Sequence, residues 1–320
     1  MRIFANAHYP FLRWRRRAYV VSAVIILLGL GAAILNIFSP SVGSWVNYGV
    51  DFTGGTMVQV DFVDDVSAEE IRAVTPGWTS TRFGDIGASE YLVRVPVEGE
   101  LGQDPGSTVR NALAQAFGED AFRIVRTEAV GPTVGEELQG RAALAILISF
   151  VLTLIYLAFR FEWRFGLAAI VATGHDILIT LGIIAALRLE VSVGTVAAIL
   201  TIVGYSLNDT IVVFDRIREH LAKRRRDETF EQIIDAAIND TLPRTIMTTI
   251  TALATLTPLY LFGGPAIRDF ALVLILGIAI GTFSSIFVAA PALWNIEQKW
   301  PRQPKKATRS SERSRETAVV

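Results

Sequence analysis

The sequence has no cysteine, and charged residues make up only 19% of the chain. Without cysteine there are no disulfide bonds and no thiolate metal sites. The three histidines, His8, His175 and His220, lie far apart along the chain, whereas zinc ligands usually recur at short spacings. The sequence therefore predicts neither a metal site nor a cofactor.

Apolar residues dominate the composition instead. They make up 51% of the 320 residues, and the mean hydropathy of +0.42 is too high for an ordinary soluble domain. A helix needs about 20 mostly apolar residues to cross the hydrocarbon core of a bilayer. Runs of this kind occupy residues 19–38, 142–159, 165–187, 193–214, 245–262 and 270–293. We predict a polytopic α-helical membrane protein with six transmembrane helices in the lipid bilayer.

Basic residues are concentrated in alternate segments between these runs. The segments before the first run, between the second and third, between the fourth and fifth, and after the sixth contain 21 of the 30 Lys and Arg residues. The positive-inside rule places these segments, and with them both termini, in the cytoplasm. Residues 1–18 are then a basic N-terminus, 215–244 a cytoplasmic loop and 294–320 a disordered tail. The net charge of −1 does not indicate a nucleic-acid partner.

Residues 39–141, between the first and second runs, are polar and show the alternation of a soluble α+β domain outside the cytoplasm. A capping box, Ser67 with Glu70, opens its first helix. The predicted elements are a strand at 56–62, a helix at 67–74, strands at 78–86 and 91–97, a helix at 108–117 and a strand at 122–130. This βαββαβ order predicts a ferredoxin-like extracytoplasmic domain.

Nothing in this domain indicates catalysis, because it has neither a nucleophile with a base nor a phosphate-binding loop. Its exposed face is better suited to contact polypeptide. Glycines flank the domain, and they are either hinges or ordinary linker residues. They are Gly49, Gly54 and Gly55 at the entry, and Gly131 (followed by Pro132) and Gly135 at the exit.

Asp209 is the most unusual residue of the sequence, because it lies within the fourth apolar run. A carboxylate at membrane depth costs about 2.5 to 3.5 kcal/mol and usually faces the interior of a helix bundle. Asp209 precedes Arg216 by seven residues, which places it about 10 Å inside the cytoplasmic end of its helix. It either takes up and releases protons or braces neighbouring helices through hydrogen bonds. Asn208 can donate and accept a hydrogen bond, so we expect it to orient this carboxyl.

Two further sites within the apolar runs carry polar residues. His175 and Asp176 occupy the middle of the third run, so both are expected to turn inward. Asp176 is the second candidate for a proton path, and His175 is either a proton relay or a partner in an interhelical hydrogen bond. Arg244 opens the fifth run, where it pairs with a carboxylate or anchors the helix in the headgroups; the residues alone favour the anchor.

An amphipathic helix is predicted at the start of the segment before the fifth run. Thr229 and Gln232 match a capping box, and apolar residues from Phe230 to Ile238 fall on one side. Such a helix lies on the inner leaflet or contacts a partner, and the membrane surface is the simpler interpretation.

Six stretches together resemble the SecF family of the bacterial SecD/SecF protein-export complex, whose fold resembles half of an RND transporter. The likeness extends from about residue 11 to about residue 293. The stretches are 49–56, which contains Asp51, Gly54 and Gly55; 130–138, which contains Gly131 and Pro132; 175–176; 204–219; 244–248; and 262–264. The tail from residue 297 departs from the family pattern.

This resemblance implies a location in the bacterial cytoplasmic membrane and a function in protein export rather than an enzymatic activity. The subunit is expected to work with SecD beside the SecYEG channel and to use the proton motive force to move a translocating polypeptide outward. Asp209 matches the carboxylate that the family is thought to protonate. The alternatives are a half-size RND-type exporter of small molecules or lipids, and a passive membrane scaffold.

Overall fold

The computed structural model describes residues 8–39, 43–83, 89–95, 105–225, 227–263 and 265–301. The predicted disordered tail therefore lies largely outside the described residues. The helices are α1 (Arg15–Ile37), α2 (Val50–Thr53), α3 (Ala68–Val74), α4 (Pro105–Phe117), α5 (Pro132–Arg160), α6 (Trp163–Leu187), α7 (Val193–Ala222), α8 (Phe230–Phe262), α9 (Pro265–Ser284) and α10 (Ala290–Lys299). The strands are β1 (Asn47–Tyr48), β2 (Gly55–Phe62), β3 (Thr79–Phe83), β4 (Glu90–Val95), β5 (Phe122–Val130) and β6 (Glu190–Val191). A short 3₁₀-helix, Phe11–Trp14, precedes α1, and a π-helical turn, Ser285–Ala289, joins α9 to α10.

The described chain contains six helices that are long and apolar enough to cross a membrane, as the hydropathy predicts. They are α1, α5, α6, α7, α8 and the continuous rod formed by α9, the π-helical turn and α10. Helix α7 has 30 residues, which correspond to about 45 Å, so it extends beyond a hydrocarbon core of about 30 Å. Residues near its two ends contact other parts of the chain.

The predicted amphipathic helix and the predicted fifth span form one helix, α8, which continues through Pro243. Its apolar side is buried, with Ile234 and Ile238 fully inaccessible to solvent. These side chains pack in a core that also includes Leu12 of the N-terminal segment and Ile217 of α7. The expectation that this face lies on the membrane surface is therefore wrong. The N-terminal segment and α7 cover it instead.

The N-terminal segment is attached to the first turns of α8 by specific hydrogen bonds. The backbone N–H of Leu12 donates to the Asp235 carboxylate at 2.9 Å. The Asn239 side chain accepts from the Tyr9 N–H and donates to the Tyr9 carbonyl, both at 2.9 Å. These bonds hold residues 9–12 against α8.

The region between α1 and α5 is a four-stranded antiparallel sheet with the order β3-β4-β2-β5. Helix α3 connects β2 to β3, and α4 connects β4 to β5, so the predicted ferredoxin-like arrangement is confirmed. The predicted capping box also forms, because Ser67 accepts from the Glu70 N–H and Glu70 accepts from the Ser67 N–H. Val58, Val60, Tyr91 and Leu113 belong to the fully buried core of the domain.

The domain is attached to the bundle by its entry and exit segments, which lie side by side. Strand β2 begins at Gly55, which pairs with Val130 at the end of β5. Helix α2, just before β2, packs on the start of α5, just after β5. The two connections therefore form one packed stalk.

Candidate functional site

Asp209 is buried in the middle of α7, with 3% of its surface exposed. Its Oδ2 atom has no hydrogen-bond partner among the residues that the structure describes. An unpaired buried carboxylate is costly unless it is protonated or faces a cation. Asp209 therefore has the environment of a group whose charge state matters, rather than that of a satisfied structural carboxylate.

The two predicted partners of Asp209 occupy different positions. Asn208 is exposed on the outer surface of the bundle, since consecutive residues of a helix point about 100° apart. The structure therefore does not bring the Asn208 amide to the buried side of α7. Arg244 is also exposed, one residue after Pro243 in α8, but its positive charge acts electrostatically on Asp209.

Asp176 in α6 is more deeply buried than Asp209, at 1% exposure, but it has several hydrogen-bond partners. Its Oδ2 atom accepts from the hydroxyls of Ser206 in α7 and Ser284 in α9, the latter at 2.7 Å. Its Oδ1 atom lies 2.9 Å from Nδ1 of His175. The carboxyl thus joins three helices at the centre of the bundle.

His175 extends this network to a fourth helix. Its Nε2 atom lies 2.9 Å from the Ser22 hydroxyl in α1, and the ring is 8% exposed. Both His175 and Asp176 face inward, as predicted. The interhelical hydrogen bond that the sequence offered as one alternative for His175 is present, and the ring also lies in a continuous chain of groups that donate and accept protons.

The two buried carboxyls, those of Asp176 and Asp209, are connected through α7. Ser206, which binds Asp176, precedes Asp209 by three residues and so lies on the same side of α7. The arrangement combines carboxyls, hydroxyls and an imidazole, which suits proton transfer. Within the described ranges, no group of His, Asp and Glu side chains is arranged to hold a metal ion.

The π-helical turn Ser285–Ala289 begins directly after Ser284, the partner of Asp176. It packs against α1, α6 and α7, where the polar network lies. π-Helical turns are rare and frequently occur at functional sites. Sequence reasoning missed this turn, because the apolar periodicity of the sixth span continues through it.

The glycine motifs meet at the outer end of the bundle. Gly54 and Gly55 have φ angles of 70° and 113°, which favour glycine, and they turn the chain from α2 into β2. Gly131 and Pro132 occupy the N-cap and first position of α5. A Cβ atom on Gly135, one turn later, would lie 2.9 Å from the Gly54 nitrogen. The entry and exit motifs thus require glycine for the turn and for close packing, which both the hinge and the linker interpretations allow.

Asp51 of the entry motif reaches the outer end of α7. Its Oδ2 atom accepts a hydrogen bond of 2.9 Å from the backbone N–H of Val193, the first residue of that helix. No sequence pattern predicts this contact, since the two residues are 142 positions apart. The helix that carries Asp209 is thereby attached to the segment that leads into the outward domain.

Comparisons with known proteins agree with these features. Residues 109–299 match the family described as "Protein export membrane protein SecD/SecF, C-terminal", and residues 42–66 match the "SecD/SecF GG Motif" family. The protein translocase subunit SecF of Gemmatimonas aurantiaca is 45% identical, over 100% of this chain and 96% of that protein. The SecF subunit of Vibrio alginolyticus is 43% identical, over 88% of this chain and 87% of that protein.

Solved structures show the same similarity. The crystal structure of SecDF from Thermus thermophilus, a translocon-associated membrane protein, matches with a TM-score of 0.78 and 34% identity. The match covers 92% of this chain but only 39% of the SecDF chain, so this protein corresponds to less than half of that larger chain. The chain therefore belongs to the SecF branch of the SecD/SecF family of protein-export membrane proteins, and it is a transport protein rather than an enzyme.

Proposed function

We propose that this subunit couples the proton motive force to protein export through protonation of Asp209. As a SecF-family protein it is a multi-pass protein of the bacterial inner membrane, and family membership implies a partnership with SecD. The proposal adds that the complex works beside the SecYEG channel and that both termini lie in the cytoplasm. The observation that carries it is the buried Asp209 carboxyl, whose Oδ2 atom has no hydrogen-bond partner within the described residues while the charge of Arg244 acts on it.

A change in the charge of Asp209 is expected to alter the packing of α7 against α8. In the charged form, Asp209 attracts Arg244 across the interface between the two helices. In the neutral form that attraction is lost, and α7 is free to shift. The proton motive force supplies about 2.3 kcal/mol per charge per 100 mV. This is enough to shift an equilibrium between two conformations that differ in free energy by a few kcal/mol.

Helix α7 is suited to transmit such a shift to the outer side. Asp209 lies 16 residues from Val193, or about 24 Å along the helix axis. At that outer end, Asp51 holds the N-terminus of α7 and leads through Gly54 and Gly55 into the sheet of the outward domain. In the proposed cycle the outward domain contacts the emerging polypeptide and resists its backward movement.

Asp176 and His175 are proposed to line the proton path next to Asp209. The hydrogen bonds from Ser22 through His175 and Asp176 to Ser206 end on α7, close to Asp209 in the chain. A network of this kind both fixes the helices that surround Asp209 and offers groups that relay a proton. Asn208, which is exposed, is the least supported member of the predicted set.

Two alternatives predict different results. The matched relatives are protein translocase subunits, which gives no support to a small-molecule exporter. Co-isolation with a SecD chain rather than with an efflux apparatus would separate these two functions. A passive scaffold remains the stronger competitor, because Asp176 shows that this bundle does contain a carboxyl with a full set of structural bonds.

The test is the Asp209→Asn substitution in the complex with SecD, assayed as gradient-dependent export of a reporter protein into membrane vesicles. Asparagine preserves the shape of the side chain but cannot titrate. We expect the gradient-dependent part of export to fall at least tenfold, with the gradient-independent part unchanged. Asp215→Asn, on the same helix but at the surface with Arg160 and Arg218, is the matched control and should export normally. A scaffold predicts normal export for both variants.

A further inference from the structure

The outward domain and the bundle meet at a small parallel sheet outside the membrane. Strand β1, just before the domain, pairs with β6 in the loop between α6 and α7, and Asn47 lies opposite Glu190. The N–H of Gly49 extends this pairing by donating to the Val191 carbonyl at 2.9 Å. The loop between α6 and α7 is therefore joined to the entry segment of the domain.

One side chain of the domain's own sheet also reaches this loop. Arg94 in β4 places Nη2 at 2.5 Å from Oε2 of Glu190, and Nη1 donates to the Asn47 side chain at 3.1 Å and to the Tyr48 carbonyl at 3.3 Å. Both charged side chains are largely shielded, with exposures of 23% and 17%. The ion pair therefore links the folded domain, the entry segment and the membrane bundle at one point.

Glu190 is held in place from two further sides. A Cβ atom on Gly49 would lie 3.1 Å from the Glu190 Cγ, so the glycine leaves room for the acidic side chain. The carboxylate of Asp269 in α9 lies near the Glu190 backbone, and the charges of Glu190 and Asp269 act on each other. Loss of Arg94 would remove the domain's positive charge from Glu190, on which the negative charge of Asp269 also acts.

Apart from the stalk, the β1–β6 pairing and this ion pair, the described part of the sheet is separated from the bundle by open space. A cleft of about 530 Å³ separates the open face of the sheet from the outer helix ends. Its lining includes Met57 and Glu128 from the sheet, and Glu190 and Asp269 from the bundle. Because the described part of this cleft is open rather than close-packed, the shielded ion pair of Arg94 with Glu190 is placed to influence how the sheet is oriented on the bundle.

We propose that Arg94 and Glu190 are positioning residues whose ion pair holds the outward domain in this orientation on the bundle and opens when the domain moves. Their position links the domain to the loop at the outer end of α7, the helix that carries Asp209. The first half of this inference concerns orientation alone, and the second half depends on the transport function proposed above.

The orientation is tested by measuring a distance between the domain and the bundle. The chain has no cysteine, so single cysteines at the exposed positions Ala73 in α3 and Ala186 in α6 accept spin labels without further changes. The labelled chain, combined with cysteine-free SecD in lipid vesicles without a proton gradient, gives a distance distribution by electron paramagnetic resonance. We expect R94E and E190R each to shift the distribution or to broaden it at least twofold, and the R94E/E190R double variant to restore it.

The matched control is the Arg82–Asp65 ion pair, which has the same 2.5 Å separation but lies within the domain. R82E and D65R should leave the distribution unchanged. An unchanged distribution in both R94E and E190R would overturn the proposal, as would a double variant that behaves like the single ones. If a charge-reversed variant fails to assemble with SecD, R94Q and E190Q, which avoid like-charge repulsion, decide by the same measurement.

The proposal that the Arg94–Glu190 ion pair opens when the domain moves is tested by cross-linking positions 94 and 190. In the R94C/E190C variant a short bismaleimide fixes the domain to the loop, and we expect gradient-dependent export to fall at least tenfold on cross-linking. Full export after cross-linking would overturn this half of the proposal. The distance measurement uses no gradient, so its result stands even if Asp209→Asn exports normally.

Discussion

The carboxylate of Asp51 accepts a hydrogen bond of 2.9 Å from the backbone N–H of Val193. A residue of the glycine motif therefore satisfies one of the free N–H groups at the start of α7, and its negative charge lies at the positive end of the helix dipole. The contact connects two segments that the sequence separates by 142 positions. It gives the glycine motif a physical role beyond that of a flexible linker.

Asp51→Ala should loosen the outer end of α7. The Ser192–Thr195 capping box remains in this variant, so the loss is that of one hydrogen bond to the helix end, about 0.5 to 1.5 kcal/mol. Hydrogen exchange should therefore become faster in the peptide that contains Val193, while the opposite end of α7, near Ala222, keeps its protection. Asp64→Ala, at an exposed position in the domain, is the control. Equal protection in both variants would show that the Asp51 contact does not stabilise the helix.

Gly135→Ala should destabilise the stalk. The added methyl group would lie 2.9 Å from the Gly54 nitrogen, which is backbone and cannot move without shifting the turn into β2. Overpacking of this kind costs about 1 to 3 kcal/mol. Gly140→Ala on the same helix meets nothing within 4 Å, and alanine is the better helix former, so thermal unfolding should occur at an equal or higher temperature. Similar melting of the two variants would contradict the packed stalk.

Removal of the charge should lower the thermal stability of the protein at Asp176 but not at Asp209. In Asp176→Asn an amide nitrogen replaces one of the two carboxyl oxygens, so either Ser206 and Ser284 or His175 lose their acceptor. Each buried polar group left without a partner costs about 1 to 3 kcal/mol. Asp209→Asn removes the charge of a carboxyl whose Oδ2 atom has no hydrogen-bond partner in the described chain. The thermal stability of this variant should therefore be unchanged or higher. Thermal unfolding in detergent compares the two. A larger loss in Asp209→Asn than in Asp176→Asn would reverse the assigned roles.

The capping box of α3 should make that helix sensitive to acid. Hydrogen bonds from the Ser67 backbone N–H and hydroxyl hold the pKa of Glu70 below its usual value. Because the folded-state pKa is the lower one, this contribution is complete above the unfolded value of about 4.3 and is lost as the pH falls through the folded value. The hydrogen-exchange protection of α3, measured relative to the intrinsic exchange rate at each pH, should therefore fall in acid more steeply in the native protein than in Glu70→Gln, which has no charge to lose. Parallel pH profiles would contradict this role.

Much of the architecture follows from local patterns. The six spans follow from apolar runs of membrane length, and the βαββαβ order follows from alternation and helix caps within residues 39–141. The inward orientation of His175, Asp176 and Asp209 follows from the cost of polar groups in lipid. Each of these inferences uses information that lies within a few residues or a single element.

The remaining features depend on contacts between distant segments. The burial of Ile234 and Ile238 could not be distinguished from membrane binding, because an apolar helix face looks the same whichever surface covers it. The ion pair of Arg94 with Glu190 and the two-residue strands β1 and β6 carry no periodic signal. Whether Asp209 or Asp176 has hydrogen-bond partners likewise depends on which serines the helix packing brings near each carboxyl.

Asp209 is proposed to take up and release a proton, and infrared spectroscopy detects protonation of a carboxyl group directly. Spectra of the complex with SecD in lipid are recorded as the pH is varied, and those of Asp209→Asn are subtracted. We expect the native spectra minus those of Asp209→Asn to contain a carbonyl band of a protonated carboxyl that grows as the pH falls, and the spectra of Asp215→Asn minus those of Asp209→Asn to contain it too. The absence of a pH-dependent carbonyl band from the native-minus-Asp209→Asn difference would show that Asp209 does not take up a proton.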